Sequence, residues 1–222
     1  MKNVEGFIVQ KGYAGKEEMA IAIYCTMNNL KFQKVQYSKK KSIEIPLNYI
    51  PCGSIPWMYS VIGQEVKPDY YPDFLKDYLN REVWKTDKWP LNKRVFIKPS
   101  DKHKRFTGFV TYGTYKKKKK GPYWCSDVVA FDNEWRYYIA YGKVIAAEWY
   151  AGDEIETPDA PSIDHIEFPQ NYFAAVDFGI CDGELTLVEA HQPFACGWYG
   201  KEHHKYVEWL AEGWINRNEW TK

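Results

Sequence analysis

The sequence predicts an α+β fold, and three observations support that class. Of the 222 residues, 45% are hydrophobic and 27% are charged, as expected for a chain that folds around an apolar core. Segments typical of strands and segments typical of helices are both present. They do not alternate in the regular strand–helix–strand order that a parallel α/β sheet requires. A chain of this length forms one large domain or two small lobes.

Residues 1–90 are predicted to form a mixed α/β lobe that ends near Pro90. Its predicted elements are a strand at 6–10, a helix at 17–28, a strand at 32–37, and helices that begin near 53 and span 72–84. Apolar residues of the first helix recur near every 3.6 positions, which predicts one buried face. The residues of that face are Met19, Ala20, Ile23, Tyr24 and Met27.

Residues 91–222 are predicted to form a second unit in which strands dominate. The predicted strands cover 94–98, 109–115, 123–129, two within 134–150, 172–180 and 184–191, and a helix covers 202–216. Tyr141–Gly142 lies between the two strands of 134–150 and is typical of a two-residue hairpin turn. The stretch 152–170 is rich in Pro and Asp and is predicted to be a surface loop.

Composition excludes several classes of protein. Thirty basic residues against 29 acidic ones give a net charge of +1, which argues against a protein steered to nucleic acid by its overall charge. None of the five cysteines forms a C-x2-C pair, so neither a disulfide framework nor a structural zinc site is expected. Apolar runs are too short for a membrane span, and the first residues lack the pattern of a secretory signal. A cytoplasmic protein without a membrane partner is therefore expected.

Motifs of the common enzyme classes are missing. The chain contains no P-loop, no G-x-S-x-G, no H-E-x-x-H and no G-x-G-x-x-G. Instead, charged residues interrupt strand-like runs at Lys98, Arg136, Asp177 and Glu189. Each alone is compatible with the exposed face of a strand. Together, two cations and two carboxylates suit a polyphosphate with a divalent metal ion, because cations pair with phosphate oxygens and carboxylates coordinate Mg²⁺.

Strand parity adds a geometric condition for a shared metal site. Asp177 and Glu189 can bind one ion only if both side chains leave the same face of the hairpin. A three-residue loop at 181–183, with a positive φ at Gly183, satisfies this condition and places His191 on the same face. A two-residue loop at Asp182–Gly183 is expected to turn Glu189 to the opposite face, so that no shared site forms. The residues predicted to pack on the opposite face are Val176, Phe178 and Val188.

Several stretches between about residues 50 and 200 form an ordered pattern. They are 53–57, 68–84, 95–99 with 104–108, 125–129, 134–136, and Asp177 followed by 189–191. In order and spacing they resemble the ATP-grasp superfamily, specifically its R2K clade, which includes translation-factor assembly proteins. The resemblance implies an ATP-grasp fold of two α/β lobes with mainly antiparallel sheets, a nucleotide cleft between the lobes, and central and C-terminal lobes packed together within 91–222.

The resemblance also implies roles for individual residues. Lys98 and Arg136 would be catalytic and would contact the phosphates of ATP, and Arg81 would lie near those phosphates. Replacing Lys98 or Arg136 with alanine is then expected to weaken ATP binding and to leave the fold intact. The adenine edge would meet a hinge formed by Ser126, Asp127, Val128 and Val129.

Asp177, Glu189 and His191 match the metal-binding positions of the family. His191 departs from the family pattern, which has Asn or Asp at that position. Imidazole is a poorer ligand than oxygen for Mg²⁺, so this departure weakens one metal site, moves the preference towards Mn²⁺, or gives His191 another role.

Two functions of different classes follow from the resemblance. The first is an ATP- and Mg²⁺-dependent carboxylate–amine ligase that acts through an acyl-phosphate, with a peptide or protein among the conceivable acceptors. The second is a non-catalytic ATP-binding assembly factor for a protein partner. A third and weaker interpretation is a nucleic-acid-binding module that uses Lys116–Lys120, although a like-charge run is commonly a solvated turn, and a lid over the phosphates is another role for it.

Overall fold

The computed structural model describes residues 3–13, 15–37, 43–112, 119–152 and 158–221. Within them the chain forms three α-helices, two short 3₁₀ helices and eleven strands, and the strands are arranged in three sheets. The predicted α+β class is confirmed. Residues 116–118 of the lysine run lie outside the described part of the chain. None of the helices described is long and apolar enough to cross a membrane.

The N-terminal sheet is parallel and has three strands in the order β2-β1-β3. Its strands are β1 Gly6–Gln10, β2 Lys31–Val35 and β3 Tyr49–Cys52. Parallel neighbours need a crossover connection, which helix α1, Lys16–Met27, provides between β1 and β2. Strand β3 is absent from the sequence-based prediction, because its four residues include a proline and resemble a loop.

The inward face of α1 differs from the predicted one. The buried residues are Ala20, Ile21, Tyr24 and Cys25. Three residues of the predicted face, Met19, Ile23 and Met27, are 50%, 40% and 79% exposed. Apolar residues occur around most of this helix, so periodicity alone does not fix its orientation. Tertiary contacts determine the orientation of α1. One of them is the edge-to-face packing of Tyr24 on Phe7 of β1, with ring centroids 6.3 Å apart.

The middle sheet is antiparallel, in the order β4-β7-β5-β6. Its strands are β4 Val83–Thr86, β5 Val95–Pro99, β6 Phe109–Thr111 and β7 Tyr123–Ser126. The helix predicted at 72–84 is wrong: helix α2, Ile55–Ile62, is followed by a 3₁₀ helix at Asp73–Tyr78 and then by β4. Asn80 has a φ of 44°, which ends helical structure there. Strand β4 precedes Pro90 and already pairs with β7.

The C-terminal sheet is antiparallel and has the order β11-β10-β8-β9. Its strands are β8 Asn133–Ala140, β9 Lys143–Gly152, β10 Ala174–Cys181 and β11 Glu184–His191, and helix α3 covers His203–Ile215. The strands and the last helix lie where the sequence predicts them.

Helix α3 connects the C-terminal sheet to the N-terminal lobe. The indole N–H of Trp209 donates to the carbonyl of Ile139 at 2.9 Å, and its ring packs on Tyr138 with centroids 5.0 Å apart. Both Trp209 and Tyr138 are buried in one core cluster with Tyr24 of α1 and Trp57 of α2. A large share of the aromatic residues therefore fill the core between lobes.

Both hairpins of the C-terminal sheet have two-residue turns. At Tyr141–Gly142 the φ angles are 53° and 67°, and at Asp182–Gly183 they are 51° and 81°. Two successive positive φ angles are the signature of a type I′ turn. The turn predicted at Tyr141–Gly142 and the positive φ predicted at Gly183 are confirmed. The three-residue loop at 181–183 is wrong, because Cys181 pairs directly with Glu184.

The two turn glycines give a matched prediction on stability. Gly183→Ala is expected to cost about 1–2 kcal/mol of unfolding free energy, because alanine disfavours a φ of 81° although space is free there. Gly142→Ala is expected to cost more, since its Cβ would lie 2.7 Å from the carbonyl oxygen of Pro169 and 2.8 Å from that of Phe168. Urea unfolding of both variants checks this order, and equal losses would contradict it.

Candidate active site

A β-bulge in strand β11 creates the face on which the candidate metal ligands meet. From the turn, pairing runs from Cys181–Glu184 to Phe178–Leu187 and then shifts, so that Asp177 faces Glu189. The extra residue is Val188. Without it, alternation would turn Glu189 to the opposite face. The prediction that Asp177 and Glu189 share a face is confirmed, but a bulge rather than a longer turn produces it.

The opposite face of the hairpin is partly as predicted. Val176 and Phe178 are fully buried in the core of the C-terminal sheet. Val188 is only half-buried and lines a cavity next to Glu189. Its predicted place in the core is therefore wrong, because the bulged residue leaves the regular alternation.

Arg136 and Asp177 form a buried bidentate ion pair. Strands β8 and β10 are neighbours and place the two residues directly opposite each other. The guanidinium Nε and Nη2 atoms donate to the two carboxylate oxygens of Asp177, each at 2.7 Å. Burial disfavours the charged guanidinium, but the carboxylate of Asp177 outweighs it and raises the pKa of Arg136 well above its usual range. The rings of Tyr150 and Tyr199 flank the guanidinium at 5.6 and 5.4 Å.

Glu189 makes two ionic contacts, one through each of its carboxylate oxygens. Lys98 Nζ donates to Glu189 Oε2 at 2.6 Å, and His191 Nε2 lies 2.6 Å from Glu189 Oε1. Burial opposes ionisation of Glu189, but the charges of His191 and Lys98 and their hydrogen bonds hold its pKa well below the usual range. The lysine ammonium also lies 3.7 Å from the ring centroid of Tyr70.

Three neighbouring side chains could hold a divalent cation. Asp177, Glu189 and His191 each offer a ligand atom, and these atoms all lie within 4.8 Å of one another. Two carboxylates and one imidazole suit Mg²⁺ or, with the nitrogen ligand, Mn²⁺. Lys98 and Arg136 balance the two carboxylates in the structure described, so an added cation needs the negative charge of a bound anion such as a polyphosphate.

Two cavities meet at Glu189. The first, of about 340 Å³, is lined by Glu189, Lys98, Arg81 and the predicted hinge at 126–129, which continues strand β7. The second, of about 370 Å³, is lined by Glu189, Arg136 and His191. Asp177 is 1% exposed and lines neither of these two cavities. The fold therefore brings every predicted site residue to one region. All of them except the buried Asp177 line one or both of the two chambers.

Arg81 lines the first cavity, but its guanidinium already has partners. Nη1 donates to the carbonyls of Leu79 at 3.0 Å and Leu187 at 2.7 Å, and Nη2 donates to that of Val188 at 3.2 Å. The last two carbonyls belong to the bulge. In this structure Arg81 therefore binds strand β11.

The sequence patterns do not identify several residues that line the first cavity. They are Tyr71, Phe96, Val110, Phe131, Glu134, Tyr150 and Val188. Phe96 could have been found, because it lies two positions before Lys98 on the same strand and shares its face. Burial raises the pKa of Glu134, whose carboxylate accepts a hydrogen bond from the Tyr150 hydroxyl at 2.5 Å. No short motif marks Tyr150, since its place depends on the pairing of β9 with β8.

His103 makes the stability of the site region sensitive to pH. Burial, followed by the nearby His191, lowers the pKa of His103 to about 4, and its ring Nε2 lies 2.9 Å from the side-chain oxygen of Gln192. Between pH 6.5 and 4 the unfolded chain binds a proton that the folded chain does not. Stability is therefore expected to fall as the pH decreases through this window, by up to about 1.4 kcal/mol per pH unit.

Urea unfolding of wild type and His103→Gln between pH 7 and pH 4.5 measures this contribution. The wild type is expected to lose more stability than the variant on acidification, because glutamine does not titrate. Parallel stability curves for the two proteins would contradict the prediction.

Residues 78–209, more than half of the chain, match the family described as ATP-grasp domain, R2K clade family 2. No curated protein matches the sequence.

Solved structures with a similar fold include two ATP-grasp proteins. The ATP-grasp ligase PsnB in complex with a minimal precursor has a TM-score of 0.53 and 9% identity, over 95% of this chain and 99% of that one. A RimK domain ATP-grasp protein from Sphaerobacter thermophilus has a TM-score of 0.52 and 9% identity, over 96% and 98% of the two chains. At such low identity the likeness shows the fold alone, and that fold is ATP-grasp, as the resemblance implied. The chain belongs to the R2K clade of ATP-grasp domains, family 2.

Proposed function

We propose that this protein is an ATP- and Mg²⁺-dependent ligase that joins a carboxylate to an amine. The observation that carries the proposal is the pair of chambers that meet at Glu189. One chamber has a backbone hinge and a buried lysine, which suit a nucleotide with its phosphates. The other contains Arg136 and His191 and has room for a second reactant. Membership of the ATP-grasp family supports the choice of ATP.

In this proposal the adenine and the inner phosphates of the nucleotide lie in the first chamber, and the terminal phosphate reaches the junction with the second chamber at Glu189. Backbone groups of 126–129 would meet the adenine edge, and Lys98 would donate to phosphate oxygens. Arg136 uses two of its five donors on Asp177, so further N–H groups are available for the terminal phosphate. Asp177, Glu189 and His191 would hold the metal, which when bound neutralises phosphate charge. Phosphate would compete with Glu189 for the Lys98 ammonium, because both are anions within its reach.

The proposed reaction has two steps. The substrate carboxylate attacks the terminal phosphorus of ATP, giving an acyl-phosphate and ADP, and the amine then attacks the acyl carbon and releases phosphate. None of the side chains is required as a nucleophile. Orientation of the reactants and neutralisation of charge would supply the rate acceleration. A peptide or protein as one reactant is supported by the similar fold of PsnB, which was solved with a precursor.

Release of ADP is the direct test. The protein is mixed with ATP, Mg²⁺ and a library of carboxylates and amines, peptides among them, and ADP is measured by a coupled assay. ADP formation that requires both a carboxylate and an amine supports the ligase. Folded protein that fails to bind ATP at millimolar concentration would rule the proposal out.

A second candidate is a non-catalytic ATP-binding factor that assists assembly of a protein partner. The contact between His191 and Glu189 favours it, because this imidazole occupies a carboxylate oxygen that a metal would otherwise use. Tight ATP binding without turnover, together with one protein partner that co-purifies, would distinguish this function from the ligase.

A further inference from the structure

We propose that Arg81 is a positioning residue that maintains the Val188 bulge and thereby keeps Glu189 on the metal-binding face. The inference deepens the proposed function and rests on it only for the identity of the ligand. Its structural part, the link between Arg81 and the bulge, depends on the contacts of this chain alone.

The bulge decides where Glu189 points. The Asp182–Gly183 turn sets a register in which Cys181 faces Glu184. If that ladder continued regularly, Asp177 would face Val188, and Glu189 would leave the other side of the sheet. One extra residue at Val188 reverses the parity, so that both Glu189 and His191 return to the face of Asp177.

A bulge leaves backbone groups without a ladder partner, and β11 is the edge strand of its sheet. The carbonyls on either side of the Leu187–Val188 junction need donors from outside the hairpin. The guanidinium of Arg81 supplies both donors. Its Nη1 donates to the Leu187 carbonyl at 2.7 Å, and its Nη2 donates to the Val188 carbonyl at 3.2 Å. Planar guanidinium geometry allows two such bonds at once, which a lysine cannot reproduce.

Residues that precede Arg81 in the chain also form hydrogen bonds with strand β11. The Asn80 side-chain amide donates to the Leu185 carbonyl at 3.2 Å and to the Thr186 hydroxyl at 2.9 Å, and Ala190 N–H donates to the Tyr70 carbonyl at 2.8 Å. Ring faces of Phe131 and Tyr71 lie 5.6 and 5.9 Å from the Arg81 guanidinium. These contacts hold the Arg81 guanidinium against the bulge, so that it does not extend into the first cavity.

The competing role is direct contact of Arg81 with a phosphate, which the family resemblance implies. The two roles differ in what Arg81→Ala changes. Loss of a positioning residue frees the backbone of β11 with no ligand present. Loss of a phosphate contact leaves the backbone of β11 unchanged and weakens nucleotide binding whether or not a divalent metal is present.

Hydrogen exchange measured by mass spectrometry tests the structural part with the ligand-free full chain. Arg81→Ala is expected to speed exchange in peptides covering 184–191 at least tenfold, with Arg81→Lys intermediate. Arg217→Ala is the matched control, because its guanidinium also donates to a carbonyl, that of Trp214, and lies 4.8 Å from an indole ring away from the site. Exchange of 184–191 that is equal in Arg81→Ala and Arg217→Ala would overturn the inference.

Mn²⁺ titration followed by electron paramagnetic resonance, at saturating ATP, tests the link to the metal. Arg81→Ala is expected to weaken Mn²⁺ binding at least tenfold, and by a larger factor than it weakens ATP binding in the presence of EDTA. A tenfold loss of metal-free ATP affinity with unchanged Mn²⁺ binding would overturn the inference in favour of a phosphate contact. If wild type binds neither ATP nor Mn²⁺, the proposed function fails, and the exchange experiment still decides the role of Arg81 at the bulge.

Discussion

Replacing Arg136 with alanine is expected to destabilise the protein by about 3–5 kcal/mol, because it leaves the carboxylate of Asp177 buried without a cation. Asp177 is 1% exposed and both of its oxygens accept hydrogen bonds from Arg136. The sequence predicts that this substitution leaves the fold intact. The buried ion pair leads us to expect a loss of stability instead. Urea unfolding of the ligand-free protein at pH 7 measures the loss.

A double variant separates the ion pair from simple loss of packing. Arg136→Met with Asp177→Leu removes both charges together and is expected to be more stable than Arg136→Ala, since no buried charge remains unpaired. Arg217→Ala, which removes a guanidinium that has no carboxylate partner among the described residues, is expected to change stability by less than about 1 kcal/mol. A loss of that small size in Arg136→Ala itself would show that the pair contributes little.

This pairing marks a limit of what the sequence predicts. Charged residues inside strand-like runs correctly indicate a special region, because a buried charge is costly without a partner. The sequence does not show that Arg136 and Asp177 neutralise each other. Their contact depends on β8 lying next to β10 rather than on the hairpin neighbours alone, and sheet order is a property of the whole fold.

The bulge marks a second limit. Strand β11 is predicted to the residue, and Asp182–Gly183 is recognisable as a turn. Nothing in the order of residues 184–191 identifies Val188 as the extra one, since valine is common in regular strands. The donor that satisfies the bulged carbonyls, Arg81, is 106 positions away from Leu187 along the chain. Local patterns therefore predict the hairpin and its charged residues. Long-range contacts determine whether Asp177 and Glu189 leave the same face of that hairpin.

Replacing Lys98 with alanine is expected to weaken ATP binding by roughly 10- to 150-fold, the loss of one charge-assisted hydrogen bond at about 1.5–3 kcal/mol. Lys98 is buried on β5 and lines the first cavity, and its ammonium lies between the Glu189 carboxylate and the rings of Tyr70 and Tyr71. An ammonium so enclosed is poorly screened by water, so its attraction to a phosphate is stronger than that of an exposed lysine. Isothermal titration calorimetry with ATP and Mg²⁺ measures the change in affinity.

Lys85→Ala is the matched control for this experiment. Lys85 also lies over an aromatic ring, with its ammonium 4.3 Å from the centroid of Trp124, but it is exposed and lines a different cavity. Its removal is expected to leave ATP affinity within twofold of wild type. Lys98→Arg is expected to retain part of the ATP affinity. The positive charge remains, but the bulkier guanidinium fits the enclosed position less well. If Lys98→Ala and Lys85→Ala bind ATP equally well, Lys98 does not contact the phosphates, and the nucleotide site must be sought outside the cavity that Lys98 and Glu189 line.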